Sequence, residues 1–201
     1  MFIPELRLLL IRHGEALANR DGAFLGRRND HLTTKGLAQA QELANRLREH
    51  AIDAMYTSPL QRALATARAI SDERTFDPIP AQALMEQDFG DWDGKLVHDV
   101  VTGTPEQFDA WRMGGPDLAP PGGETLVSVA DRVSEFFHNV RQQHQPGQTI
   151  AFVGHAGNFQ ALLCRLFGIP LRPLWPFKLA IASITEIVFH DNMPSLTRLS
   201  T

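Results

Sequence analysis

Short apolar runs alternate along the chain with longer segments of helical period. Leu6–Ile11 suits a strand buried on both faces and ends at Arg12-His13-Gly14. A loop is expected from there to about Leu32. Thr33 can cap a helix over Thr34–Glu49, with Leu37, Ala40, Ala44 and Leu47 on one face. Ala54–Thr57 reads as a second strand. Ser58-Pro59 reads as a helix start, with Ser capping and Pro at the first helical position, where its missing N–H costs nothing. Leu60, Ala63, Leu64, Ala67 and Ile70 form that helix's apolar face. Ile79–Leu84, flanked and interrupted by Pro78 and Pro80, suits a sheet edge only. Short helices are expected over Lys95–Val101 and Thr104–Met113, and a longer one over Glu124–His144 with Val129, Val133, Phe136 and Val140 inward. Thr149–Val153 reads as a strand followed at once by Gly154-His155-Ala156-Gly157. A helix over Asn158–Phe167 then stops at Gly168 and Pro170. Ile184–Phe189 and Leu196–Leu199 read as a terminal hairpin around Asn192–Pro194. This alternation predicts an α/β fold with a mostly parallel sheet.

Composition narrows the class. The 201 residues are 43% hydrophobic and 21% charged, ordinary globular values that argue against disorder and against collagen-like or coiled-coil architectures. With no Gly/Ser-rich linker, residues 1–201 read as one domain, and Pro116–Gly123 and Pro170–Pro176 as loops within it. Lys+Arg 19 against Asp+Glu 23 gives a net charge of −4, which argues against a general nucleic-acid binder while leaving room for a local basic pocket. Apolar runs stop at four residues, as in Leu8–Ile11 and Ile150–Val153, whereas a membrane span needs ~20. Met1–Arg12 lacks a basic stretch ahead of a long apolar one, so no signal peptide is expected. The single cysteine, Cys164, reads as a packing residue and calls for no oxidising compartment. A soluble cytoplasmic protein is the expectation.

The chemistry gathers at strand ends. His13 and His155 each follow a predicted strand, and open α/β sheets bind ligands beyond the carboxyl ends of their strands. Either histidine alone reads as a polar loop residue. Gly14, Gly154 and Gly157, which let backbone approach a ligand, shift that balance. Arg12 and Arg62 carry permanent charge and forked donors that match phosphate oxygens. Arg62 near a helix start opposes the macrodipole, a conflict a bound anion would relieve; otherwise it is a solvated helix arginine, and Arg12 a salt-bridge partner. No His-Glu-x-x-His, cysteine pair or His-x-His supports a metal site. Asp88, Asp91 and Asp93 resemble a calcium loop superficially, with Lys95 where a ligand should stand. The Walker, Gly-x-Gly-x-x-Gly and Gly-x-Ser-x-Gly patterns are missing. Neither a metal nor a cofactor is expected.

Arg12-His13-Gly14-Glu15 with Asn19 resembles the signature of the histidine phosphatase superfamily, the phosphoglycerate mutase-like proteins. The resemblance continues in order through Gly26–Thr33 with Gly36, Gln39 and Ala40, then Tyr56–Ala63 with Thr66 and Ala67. Leu84–Gly94, Pro121–Glu124 and Val153–Gly157 complete it. It implies a three-layer α/β/α, phosphoglycerate mutase-like fold, with residues 95–120 as a lid-like insertion. It also implies a nucleophilic His13 that forms a phosphohistidine, since imidazole, with a reference pKa of about 6.5, offers a neutral nitrogen near pH 7. The other ring nitrogen would donate to a backbone carbonyl. Arg12, Arg62 and a protonated His155 would clamp the phosphoryl oxygens without a metal, with Asn19 and Ala156 completing the phosphate site. Glu86 would give a proton to the leaving oxygen and later take one from the attacking water, with Asp88 as its competitor. Glu15 reads as structural, paired with a basic residue. Asp93 stands where the family commonly has glutamate, Thr57 where it has serine, and Ala156 and Asn158 where glycine and an aliphatic residue are frequent.

The function implied is metal-independent hydrolysis of a small organic phosphate ester. The alternatives are a phosphoglycerate mutase-type isomerase and a non-catalytic phospho-ligand binder. Mutases of the family are usually longer, with an insertion before the final histidine, and the short interval Lys95–Gly154 favours a phosphatase. Intact His13, Arg12, Arg62, Glu86 and His155 argue against a mere binder. Trp92, Phe108 and Trp111 are either an aromatic wall to the pocket or core. Gly168–Lys178 and Phe89-Gly90-Asp91-Trp92 are similar to the α-ribazole phosphatase branch. No nucleic-acid or membrane partner is expected, and the chain reads as a monomer or homodimer.

Overall fold

Strand β1 (Leu6–Arg12) carries the apolar run Leu8–Ile11 into the middle of a six-stranded sheet. The computed structural model describes residues 5–72, 74–172 and 177–201. Within them β2 (Ala54–Thr57), β3 (Ile79–Pro80), β4 (Gln148–Gly154), β5 (Ile184–His190) and β6 (Met193–Arg198) complete the order β3-β2-β4-β1-β5-β6. The first four of these in space are parallel; β5 runs antiparallel to β1, and β6 to β5. The expected mostly parallel α/β sheet is therefore the one observed.

Seven helices accompany it among the described residues: α1 (Leu17–Asp21), α2 (Thr34–Leu47), α3 (Gln61–Ser71), α4 (Val97–Gly103), α5 (Pro105–Met113), α6 (Leu126–Gln143) and α7 (Ala156–Phe167), of which α2, α3, α6 and α7 cover its faces. Period two sorts the central strands. Leu6, Leu8, Leu10, Ile150 and Phe152 pack on Val133, Phe137 and Val140 of α6 and on Phe159, Leu162 and Leu163 of α7. Leu9, Ile11, Ala151 and Val153 face the other way, onto Leu43 and Leu47 of α2 and Ala63, Ala67 and Ile70 of α3. The result is three layers. Each such fully buried aliphatic side chain contributes about 1.5–3 kcal/mol. Cys164 is buried with Val129, Ala130 and Ala161, and burial raises its thiol pKa.

Several local expectations shift. Leu37 is 57% exposed, and the buried stripe of α2 is Gly36, Ala40, Leu43 and Leu47. The helix turns that face inward because its first turn lies backbone to backbone on Gly14 and Glu15. A Cβ on Gly14 would enter the Gly36 carbonyl, and one on Gly36 the Glu15 carbonyl. Thr33 caps α2 as expected, accepting from Gly36 N at 3.0 Å. Helix α3 starts at Gln61, not Pro59, and its first N–H donates to Asn29 Oδ1 at 2.8 Å. In α6, Phe137 is buried, while Phe136 is partly buried and packs on Tyr56 and Phe152. Only Ile79–Pro80 forms an edge strand before a 3-10 turn, Gln82–Leu84. Helix α1, a single turn too short to show an apolar period, interrupts the expected loop; Asp30 Oδ2 accepts its Ala18 N–H at 3.1 Å. The terminal hairpin turns through Asp191 and Asn192, both left-handed at φ 47° and 65°, as a two-residue hairpin loop requires.

Two features place the site. The β1/β4 register pairs Arg12 with Gly154, so the residues that follow, His13 and His155, leave the sheet side by side. In the 95–120 segment, Val100, Phe108 and Trp111 pack with Trp92, Phe24 and Phe89 as a small separate core. Trp92 and Trp111 are thus core rather than a pocket wall. Pro173–Pro176, part of the stretch resembling the α-ribazole branch, lies outside the described residues.

Candidate active site

His13 is 2% exposed at the carboxyl end of β1. Its Nδ1–H donates to the Gly14 carbonyl at 2.6 Å, which fixes the tautomer and leaves Nε2 with a lone pair, as expected. Gly14 in turn donates its N–H to Thr66 Oγ1 at 3.2 Å. The His155 ring stands with its centroid 5.0 Å from that of His13, at 62°. Between them lies Arg62, fully buried on the first turn of α3. Its Nε–H faces His13 Nε2 at 3.2 Å and His155 Nδ1 at 3.3 Å. Its Nη1 and Nη2 donate to the carbonyls of Arg28 and Gly26 at 2.8 and 2.7 Å. A buried cation is tolerable only when it is hydrogen-bonded, and each of the three guanidinium nitrogens has a partner.

With His155 Nδ1 accepting from Arg62, its Nε2–H donates to Ser58 Oγ at 2.8 Å. Ser58, expected as a helix cap, accepts from Leu60 N at 3.3 Å but stands before the cap position, which Leu60 takes, and its hydroxyl also orients a histidine. Burial first, then Arg62 and Arg12, holds His13 well below its ordinary pKa; burial, Arg62, His13 and Arg12 do the same for His155. Both imidazoles are therefore neutral at pH 7 within this shell of protein groups. The protonated His155 expected from the resemblance needs the charge of an anion at Nδ1. Arg12 donates from Nη1 to the Leu179 carbonyl at 2.6 Å, while its buried Nε has no partner among the described residues.

These depressed values set a stability trend. In the unfolded chain both imidazoles take up protons as pH falls through about 6.5, and in the fold they resist. Stability contributed above that pH is progressively lost below it. The melting temperature is expected to fall from pH 7 to pH 5, and less steeply in a His13→Asn/His155→Asn variant. Calorimetry across that range checks it; parallel curves for the two proteins would refute it.

Glu86 reaches the same place from the opposite wall. It is 7% exposed. Its Oε2 accepts from Gly157 N at 2.9 Å, and its Oε1 from Asn158 N at 3.1 Å and Gln87 N at 2.9 Å. The first two donors are the Gly157 and Asn158 N–H groups at the start of α7, which have no carbonyl partner within their own helix. Asn158 Oδ1 accepts from His155 N at 3.2 Å and its Nδ2 donates to the Leu84 carbonyl at 2.8 Å, tying histidine and carboxylate together. Arg132 donates to the Ala83 and Glu86 carbonyls at 2.6 and 3.1 Å and is itself held by Glu124 at 2.9 and 3.1 Å. Burial works against the Glu124 charge, but Arg132 and Arg27 outweigh it and keep the carboxyl below its ordinary range. A Cβ at Gly157 would enter Glu86 Oε1. Gly157→Ala should therefore push the carboxylate aside and lower kcat about 10²-fold with little change in melting temperature. Steady-state kinetics beside a melt measures both.

Asn19 uses its Oδ1 to accept from Ala16 N at 3.1 Å, which leaves Nδ2 as the donor available to a ligand. Ala156 opens α7 beside His155. Asp88, the competitor of Glu86, accepts from Gly90 N at 2.8 Å and faces Arg27, so its carboxylate serves its own loop. Glu15 is structural as expected, accepting from Thr33 Oγ1 at 2.9 Å and Lys35 Nζ at 3.0 Å. Asn158, Arg132 and Glu124 have no role predicted from sequence. Glu124 stands in the Pro121–Glu124 motif and Asn158 among the departures from the family pattern, whereas nothing in the sequence marks Arg132.

Comparison with known proteins gives the family. A family model described as the histidine phosphatase superfamily (branch 1) matches residues 8–201. The chain belongs to the histidine phosphatase superfamily. It is 33% identical over 195 residues to phosphoserine phosphatase 1 of Hydrogenobacter thermophilus, covering 97% of this chain and 92% of that one. It is 34% identical over 195 residues to the 2,3-bisphosphoglycerate-dependent phosphoglycerate mutase of Brucella anthropi, covering 94% and 93%. The crystal structure of the alpha-ribazole phosphatase from Shigella flexneri superposes with a TM-score of 0.88 at 32% identity, covering 97% of this chain and 96% of that one. Because the Brucella mutase is matched across nearly its full length, the shortness of Lys95–Gly154 does not separate phosphatase from mutase.

Proposed function

We propose that the protein is a metal-independent phosphomonoesterase that hydrolyses a small organic phosphate through a phosphohistidine on His13. The observation that carries this reading is the Arg62 Nε–H aimed between His13 Nε2 and His155 Nδ1, with Glu86 seated on the start of α7 beside them. In the first step the His13 Nε2 lone pair attacks phosphorus. The bond to the ester oxygen breaks, and that oxygen takes the proton of Glu86. In the second step Glu86 takes a proton from water, whose oxygen attacks the phosphohistidine and returns Nε2 to its starting state with release of inorganic phosphate. Arg12, Arg62 and His155, protonated once the anion binds, offset the charge on the transferring group. Asn19 Nδ2 and the Ala156 N–H at the helix start donate to its oxygens.

Residues 95–120 form the lid in this reading, supported by backbone pairing at their base: Phe24 N donates to the Lys95 carbonyl at 2.9 Å and Val97 N to the Gly22 carbonyl at 3.0 Å. Among the described residues no helix is long and apolar enough to cross a membrane. A reducing, cytoplasmic setting fits a chain whose one cysteine is buried as a thiol. The test is a panel of phosphomonoesters assayed with chelator. Turnover that survives chelation supports the reading, and strict dependence on added divalent metal overturns it. The likeness to a mutase keeps one competing outcome in view: 3-phosphoglycerate converted to its 2-isomer without release of phosphate would make the protein an isomerase.

A further inference from the structure

Arg62 can be aimed no better than the two carbonyls that hold it. Both lie in the loop Gly26–Arg28, and the same two residues are gripped from elsewhere in the chain. Asp93 Oδ1 accepts from Gly26 N at 2.8 Å, and Oδ2 from Arg28 N at 2.7 Å. The loop thus gives its N–H groups to a carboxylate and its carbonyls to a guanidinium. Asn29 and Asp30 fasten it further, Asn29 Oδ1 on Gln61 N at 2.8 Å and Asp30 Oδ1 on Arg28 Nε at 2.8 Å.

We infer that Asp93 is a positioning residue for phosphoryl binding: through the backbone of Gly26–Arg28 it fixes the Arg62 guanidinium against the two imidazoles. The inference rests on the phosphatase reading above and assigns a role to a residue outside the pocket. Three further observations bear on it. Burial lowers Arg62 to about 10, and Glu86, Asp93 and Asp30 oppose that loss of charge. Asp93 precedes Gly94, whose φ of 83° and whose N–H bond to the Phe24 carbonyl at 2.9 Å bring the chain back onto the first loop. A two-oxygen acceptor is required, because each oxygen meets a different N–H. Asparagine would set an NH2 against one of them.

The experiment compares hydrolysis of 4-nitrophenyl phosphate, and its inhibition by orthovanadate, in the wild type, Asp93→Asn, Asp93→Glu, Arg62→Lys and Asp93→Asn/Arg62→Lys. Asp93→Asn should weaken vanadate inhibition and lower kcat/KM by about tenfold, the loss of one hydrogen bond to a charged group. Asp93→Glu, which keeps both acceptors, should recover most of that loss. With Arg62 already replaced, Asp93→Asn should change vanadate inhibition by no more than about twofold, since its effect runs through the guanidinium. A merely structural role would cost the same factor in both backgrounds. That result, or unchanged vanadate inhibition in Asp93→Asn, overturns the inference. If Asp93→Asn does not fold, Asp93→Ser, which keeps one acceptor, carries the same comparison. Wild type without phosphatase activity, or Arg62→Lys as active as wild type, would sink the phosphatase reading itself and is told apart by the parent proteins alone.

Discussion

Replacing His13 by alanine is expected to lower kcat by at least about 10⁴-fold, the scale on which the nucleophile of a coupled site is lost. The geometry makes that loss hard to bypass. Nε2 is the ring nitrogen left free by the bond to Gly14, and it already faces the guanidinium that would hold a phosphoryl oxygen. The second imidazole cannot substitute, because its outer nitrogen is committed to Ser58 at 2.8 Å. The fold should survive, since burial first, then Arg62 and Arg12, opposes protonation of this imidazole, and its removal lifts that cost at acid pH. The measurement is rapid quench with labelled substrate. Wild type should trap an acid-labile, alkali-stable phosphoenzyme, and His13→Ala should trap none. A variant within about tenfold of wild type would end the mechanism.

Glu86→Gln separates the two halves of the reaction. On an alkyl phosphate, whose leaving oxygen needs a proton, kcat should fall by about 10²–10⁴-fold, the usual worth of general acid–base catalysis. On 4-nitrophenyl phosphate, whose phenolate leaves unaided, the first step should be nearly unchanged. Water would then attack without its base, so the phosphoenzyme should accumulate and nitrophenol should appear as a burst. Some destabilisation is expected as well. Glu86 accepts from three N–H groups, and the amide would turn a donor on one of them. Equal losses on both substrates, with no burst, would show that Glu86 supports the pocket without moving protons.

The parts of the molecule that the sequence discloses are those written locally. Strands β1 and β4 are legible because both faces are buried and each holds an unbroken apolar run, Leu8–Ile11 and Ile150–Val153, directly before its end at Arg12 and Gly154. His13, His155 and Glu86 are legible because each sits in a recognisable run of neighbours. What escapes is set by contacts distant along the chain. The exposed Leu37 follows from glycine packing on glycine between two elements, which no helical period records. The partner of Ser58 is the histidine that follows β4, and the partners of Asp93 are two N–H groups of the first loop. The hydroxyl suits a cap and the carboxylate a calcium loop equally well until the fold supplies the other half. Helix α1 is hidden for a different reason: five residues, of which Leu17 and Ala18 are adjacent and the rest polar, are too short a run to show a helical period.

The pairing of Arg12 with Gly154 has a consequence for how such a protein can change over time. The spacing of the two imidazoles is set by one rung of a parallel ladder between neighbouring strands, so it is indifferent to the length of chain joining them. Insertions or losses over the substrate side can remodel which ester is admitted while the reacting pair keeps its distance. Selection is thus free to edit the doorway without touching the hearth.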